Sequence, residues 1–194
     1  MSGLFAASEQ VLLDDASGRI DYLPGLLEPD FAQHAFVALR DQARWKSERR
    51  QMYDREVDVP RLLGSYKLDD PRLPAEIAAI RERVAERVPA PFDSVGLNLY
   101  RDERDSVAPH NDHLYEIARD QPIALVSLGA AREMVIRSKQ PPKRVLRIDL
   151  APGSLLVMSY ATQLHYDHGI PKQKHAVGPR ISLAFRVKAG AGRY

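Results

Sequence analysis

The second half of the chain is a succession of short apolar runs cut by turns, and that rhythm restricts the fold more than any other feature. From Val95 onward come VGLNLY, PIALVSLG, REMVIRS, VLRIDL, SLLVMS and RISLAFRV. Each run has the length and β-branched content of a strand, and turn residues separate them, notably Ala151-Pro152-Gly153. Two earlier segments carry the helical period instead. PDFAQHAFVALRDQARW begins with Pro29 at a first turn and sets Phe31, Ala35 and Leu39 on one stripe. RLPAEIAAIRERVAERV does the same with Ile77, Ile80, Val84 and Val88, and ends before Pro89. Helices early and strands late predict an α+β fold whose strands form a sandwich or closed barrel. Between Arg44 and Asp70 runs a polar stretch without clear periodicity, too long for a connector; such loops are usually functional or mobile.

The 194 residues suit a single domain, and no repeat or low-complexity segment interrupts them. With no run of about 18 apolar residues, the sequence predicts no transmembrane helix. The N-terminus MSGLFAASEQVLLDD lacks a basic start and does not read as a signal peptide. Zero cysteines remove disulfides, thiolate nucleophiles and zinc–thiolate sites together, which fits a reducing, cytoplasmic setting. The net charge of +2 conceals an asymmetry. Residues 1–30 hold six acids against Arg19, whereas residues 137–194 hold eleven Lys and Arg against Asp149 and Asp167. A basic last third suits a polyanion such as nucleic acid, and equally a solvated basic face.

The stretch APHNDHLYE packs His110, Asp112 and His113 into four positions of a chain with six histidines. His110 and Asp112 sit two apart near a predicted strand end, so alternation puts both on one face and His113 on the other. An imidazole and a carboxylate on one face suit Fe(II), Mn(II) or Zn(II), and TQLHYDHGIPK offers His165 and His168 for a third ligand. Two histidines and a carboxylate would form a facial triad, as in non-haem Fe(II) oxygenases. In GPRISLAFRVK, Arg180 and Arg186 are six apart and share a strand face, where buried guanidiniums require anions. A dicarboxylate cosubstrate chelating a metal at one end needs such a planar cation at the other. Asn98 and Tyr100 of NLY likewise share a face and offer an amide and a phenol.

Taken in order, NLY, HND, SLG, GSLLVMS, TQLHYDHGIPK and PRISLAFR resemble the AlkB family of Fe(II)/2-oxoglutarate-dependent dioxygenases. The resemblance runs from about Ile20 through Lys188, strongest after Val95, and YLPGLL, the helix after it and Trp45 are similar to the family's N-terminal part. It implies a double-stranded β-helix, or jelly roll, with flanking N-terminal helices. One domain over 1–194 is expected, with about 18–94 as helical flank and substrate-recognition lid and about 95–188 as catalytic core.

The resemblance further implies that His110, Asp112 and His168 ligate iron, with His165 at an outer position. Arg180 would pair with the far carboxylate of 2-oxoglutarate, and Asn98 and Tyr100 would hydrogen-bond the cosubstrate. Arg186 would lie by Asp112 and the near carboxylate. Ser182 stands where many members carry Asn, two residues after the first arginine. The implied activity is oxidative dealkylation of N-alkylated DNA or RNA bases with Fe(II), 2-oxoglutarate and O2, by a monomer without protein partner or membrane. It would release formaldehyde, succinate and CO2. Alternative readings are a 2-oxoglutarate oxygenase of a protein or small molecule, and a nucleic-acid-binding module without turnover.

The pattern departs from acid-bearing repair members after the aspartate, where His113, Leu114 and Tyr115 precede Glu116. In the lid, Tyr53 or Tyr66 is a candidate for stacking on a base. Arg44, Lys46, Arg49, Arg50 and Arg55 could grip phosphates, though Asp41, Glu48 and Asp54 dilute them.

Overall fold

Two antiparallel sheets face each other, and one of them carries two helices on its outer side. The computed structural model describes residues 8–52 and 55–190, with the backbone alone for residues 50–52 and 55–58. The strands are β1 (Gln10–Asp15), β2 (Gly18–Leu23), β3 (Arg49–Met52), β4 (Arg55–Asp58), β5 (Leu62–Lys67), β6 (Ser94–Tyr100) and β7 (Val107–His110). They continue as β8 (Ile123–Gly129), β9 (Arg132–Ser138), β10 (Val145–Leu150), β11 (Leu155–Met158), β12 (Tyr166–Ile170) and β13 (Arg180–Arg186). The helices are α1 (Pro29–Gln42), α2 (Ala75–Arg87) and the short α3 (Tyr160–His165).

The major sheet has seven strands in the order β1-β2-β11-β8-β13-β6-β5, and the minor sheet four in the order β10-β9-β12-β7. Strands β3 and β4 form a separate hairpin. This is the double-stranded β-helix expected from the sequence. The early half contributes more than helices, because β1, β2 and β5 extend both edges of the major sheet.

Alternation along β8 shows how the layers are built. Ala124, Val126 and Leu128 point to a core shared with α1 and α2, while Ile123 and Leu125 point between the sheets. Both faces are covered, so the strand is apolar apart from Ser127. Helix α1 buries Ala32, Ala35, Phe36 and Leu39 against that outer face, and α2 buries Ile77, Ile80 and Val84. Each such large aliphatic side chain contributes about 1.5–3 kcal/mol on burial. The helix seat also needs Gly129, at φ 78°, because a Cβ there would lie 2.5 Å from the Pro179 carbonyl and 2.6 Å from the Phe36 ring.

Strands β6 and β13 break the apolar pattern on one face only. Val95, Leu97, Leu99, Ile181, Leu183 and Phe185 join the outer core. The intervening residues, Asn98, Tyr100, Arg180, Ser182 and Arg186, turn toward the minor sheet. Polar groups at positions that packing alone would fill with aliphatics mark the interior of the β-helix as a site.

Candidate metal centre

His110 and His168 come from neighbouring strands of the minor sheet, β7 and β12, and are paired directly in register. Their ring centroids are 4.6 Å apart, tilted by 50°. Asp112 completes the cluster: one ligand atom from each of His110, Asp112 and His168 lies within 4.8 Å of the others. It is the one such group of three or more His, Cys, Asp or Glu among the described residues. The route to Asp112 differs from the expected strand alternation. Strand β7 stops at His110, and Asp112 lies in the following loop, held by contacts outside the ladder.

His110 Nδ1 lies 2.9 Å from the Ala108 carbonyl, which can only accept, so Nδ1 carries the proton and Nε2 offers its lone pair. Burial, reinforced by His110, pushes the His168 pKa down to about 4 against the pull of Asp112, so its imidazole is neutral at pH 7. Burial pushes the Asp112 carboxyl up, but Arg186, with His168 and His110, holds it below the usual carboxylate value. The contact responsible is Arg186 Nε donating to Asp112 Oδ2 at 2.7 Å. Gly96 sits beside this pair, and a Cβ there would come within 3.0 Å of Arg186 Nη1.

The expected cosubstrate residues share the interior face of the major sheet. Arg180 pairs in register with Tyr100, and Ser182 with Asn98. Arg180 is wholly buried, its guanidinium 5.3 Å from the Tyr100 ring centroid, with Nη2 donating to Ser127 Oγ at 2.9 Å. Its Nε and Nη1 have no hydrogen-bond partner among the described residues. Burial lowers its pKa to about 10, which still leaves it a cation at neutral pH. Burial raises the Tyr100 pKa, with Arg180, Arg61 and Arg132 pulling the other way, so the phenol stays protonated. Asn98 Nδ2 lies 3.5 Å from Ser182 Oγ, the limit of a hydrogen bond.

Two further arginines belong to this interior, and neither stands out in the sequence. Arg61 Nε donates to Asn98 Oδ1 at 2.8 Å, tying the segment before β5 to the interior. Arg132 is buried, stands 5.6 Å from the Tyr100 ring, and donates to the carbonyls of Asp102, Asp105 and Pro171. No local motif announces either residue, since both act through chain segments far away in sequence.

Other candidates fall elsewhere. His165 ends α3, exposed and outside the cluster. Tyr66 is buried in the outer core and takes the Arg44 N–H on its hydroxyl, so it is a packing residue and not a stacking platform. Tyr53 and the side chains of Arg50 and Arg55 lie outside the described residues, while Arg44, Lys46 and Arg49 are exposed. After Asp112, His113 and Tyr115 stack with centroids 5.2 Å apart, and Tyr115 is 71% exposed. Leu114 packs partly against the core between the sheets.

A family model described as the 2OG-Fe(II) oxygenase superfamily matches residues 19–186. The chain belongs to this superfamily. Its relatives are AlkB homologues, and within the superfamily it belongs with them. It is 40% identical over 114 residues to the bovine (Bos taurus) DNA oxidative demethylase ALKBH2, covering 55% of this chain and 41% of that one. It is 30% identical over 188 residues to the human (Homo sapiens) alpha-ketoglutarate-dependent dioxygenase alkB homolog 3, covering 87% of this chain and 66% of that one. The chain thus spans less than two thirds of either relative. The solved structure of OsALKBH1 shares the fold, with a TM-score of 0.64 at 14% identity, over 92% of this chain and 100% of that one.

Membership in the superfamily implies Fe(II), 2-oxoglutarate and O2, and the residues present fit them. Two imidazoles and a carboxylate make a borderline-hard donor set of the 2-His-1-carboxylate type. The orphaned Nε and Nη1 of Arg180 are what a carboxylate anchor requires.

Proposed function

We propose that this protein is an Fe(II)/2-oxoglutarate-dependent dioxygenase that removes alkyl groups from N-alkylated bases of DNA or RNA. One observation carries the reading: the His110–Asp112–His168 cluster lies in the same β-helix as a wholly buried Arg180 with two donors unpartnered among the described residues. His110 Nε2, the Asp112 carboxylate and His168 would hold the iron. Bound there, iron supplies oxidative decarboxylation of 2-oxoglutarate to succinate and CO2, coupled to hydroxylation of a C–H bond by O2. On an N-methyl carbon, the hydroxylated product releases formaldehyde and leaves the N–H base.

The chain's own residues orient these reactants. Arg180 takes the far carboxylate of 2-oxoglutarate, and pre-placed donors in a water-poor interior act strongly because no reorganisation is needed. Tyr100, flanked by two guanidiniums, presents its phenol beside that end. Asn98 and Ser182 supply a further polar pair to the cosubstrate. Arg186 keeps Asp112 ionised and aimed, and stands ready for the near carboxylate.

The nucleic-acid substrate is supported by the AlkB relatives and by the basic last third. A second reading, a 2-oxoglutarate oxygenase of another substrate class, is favoured by the residues after Asp112. Leu114 is no hydrogen-bond acceptor, and Glu116 stands four positions after Asp112, exposed. Mass spectrometry of a panel of methylated oligonucleotides, with succinate followed in parallel, separates the two. Methyl loss from an oligonucleotide supports the first reading, and succinate without methyl loss on any oligonucleotide supports the second.

A further inference from the structure

Asp112 is the one member of the metal cluster that no strand holds, and its loop is fixed by side chains from two other elements. The Asp112 backbone N–H donates to Gln163 Oε1 at 3.0 Å. Gln163 is 1% exposed, and its carbonyl accepts Lys139 Nζ at 2.8 Å. The same ammonium donates to Asn111 Oδ1 at 3.0 Å, and Asn111 Nδ2 donates to the Asp112 carbonyl at 2.9 Å. The circuit is closed, running from Asp112 through Gln163, Lys139 and Asn111 back to Asp112.

We propose that Gln163 and Lys139 are positioning residues for the metal centre, which set the Asp112 carboxylate opposite the two histidines; this rests on the proposed metal site. Each contact has the chemistry the task needs. The part-buried Asp112 N–H finds its acceptor in Gln163 Oε1, which fixes where this peptide lies. The Gln163 side chain is itself aimed by Nε2 donating to Thr162 Oγ1 at 3.3 Å, and that hydroxyl donates to the Ser159 carbonyl at 2.6 Å. The Lys139 ammonium spends two of its three protons on the ring and stands 3.7 Å from Asp167 Oδ1, next to the ligand His168. Its backbone N–H also donates to the His165 carbonyl at 2.8 Å, so the end of β9 holds both α3 and the ligand loop. With the ring closed, the Asp112 peptide cannot turn without breaking a part-buried hydrogen bond. Arg186 then orients only the carboxylate tip.

The test is Co(II) binding to the whole metal-free protein, followed by the visible absorption of the bound ion. Gln163→Leu removes the acceptor, and Lys139→Met removes the ammonium while keeping most of the volume. Partners of this kind typically control metal affinity by about 10–100-fold, so each variant is expected to raise the Co(II) Kd by that factor. Gly129→Ala, which strains the helix seat outside the ring, controls for lost stability and is expected to keep the wild-type Kd within about twofold. Lys139 is partly exposed, so Lys139→Met carries the test if Gln163→Leu does not fold. Folded variants that bind Co(II) as wild type does would overturn the positioning role alone. Gly129→Ala binding Co(II) as weakly as those variants would overturn it too, by showing that any loss of stability has the same effect. A wild-type protein that binds no Co(II) would overturn the metal site, and this inference with it.

Discussion

His110 and His168 face one another across β7 and β12, and their rings are 4.6 Å apart. His110 is exposed and His168 buried, and with Asp112 they can share one divalent ion at the mouth of the β-helix. His110→Ala, Asp112→Ala and His168→Ala should each reduce Fe(II)-dependent turnover to background. His113→Ala and His165→Ala, outside the cluster, should keep wild-type metal affinity in a titration. Full affinity in His168→Ala with loss in His165→Ala would show that the ligands are assigned wrongly.

The depressed pKa of His168 links stability to pH. Its folded value, about 4, lies below the ordinary 6.5, so between these values the unfolded chain binds more protons than the folded one. The stabilisation is therefore fully present above pH 6.5 and is lost as pH falls toward 4. Thermal melts of metal-free protein should give a midpoint that drops across that window, and the drop should shrink in His168→Leu. A flat profile in the wild type would show that His168 is not buried neutral.

Arg180 is the residue on which 2-oxoglutarate binding should depend most. Truncating one partner of a desolvated charge pair costs about 2–5 kcal/mol, which corresponds to a rise in the cosubstrate requirement of tens of fold or more. In Arg180→Ala the 2-oxoglutarate KM should rise by at least that much, with Fe(II) affinity changed far less. Succinate production with the wild-type 2-oxoglutarate dependence would remove Arg180 from this role.

How far these features are legible in the sequence follows from the range of the contacts that make them. Helices α1 and α2 and strands β6, β8, β9, β10, β11 and β13 all lie within segments whose period names them, because each buries a face or two. Strand β5 is hidden in the polar stretch because it is an edge strand burying little besides Tyr66. The β1–β2 hairpin leaves only a faint signal, although Gly18 follows Asp15 at its turn, since β1 buries only Leu13. In the site, the even spacing of Arg180 and Arg186 places both on the interior face, as alternation requires. Asp112 does reach the cluster, but by a loop whose shape depends on Gln163, fifty-one residues away. Arg61, Arg132 and Lys139 are silent for the same reason: a contact made to a distant segment of chain leaves no local period or motif.

The residues after Asp112 predict how substrates are told apart. An acidic reader would favour a cationic alkylated base, but Leu114 packs toward the core and Glu116 stands four positions after Asp112, exposed. Discrimination should then rest on shape and stacking, with exposed Tyr115 as the available ring. Matched oligonucleotides with a cationic and a neutral methyl lesion should be repaired at rates within about tenfold, a gap of about 1.4 kcal/mol. Leu114→Asp should favour the cationic lesion, at the expense of a lower thermal midpoint from the lost packing. Strong wild-type preference for the cationic lesion, abolished in Glu116→Ala, would identify Glu116 as the reader instead.

In the proposed function this interior couples 2-oxoglutarate turnover to removal of an alkyl group from a nucleic-acid base. Its most direct test measures three products from one reaction on an N-methylated oligonucleotide: demethylated base, formaldehyde and succinate. The first two should appear in equal amounts, succinate should at least match them, and all three should vanish in His168→Ala. Succinate formed at the wild-type rate, with every methylated DNA and RNA oligonucleotide left intact, would contradict it.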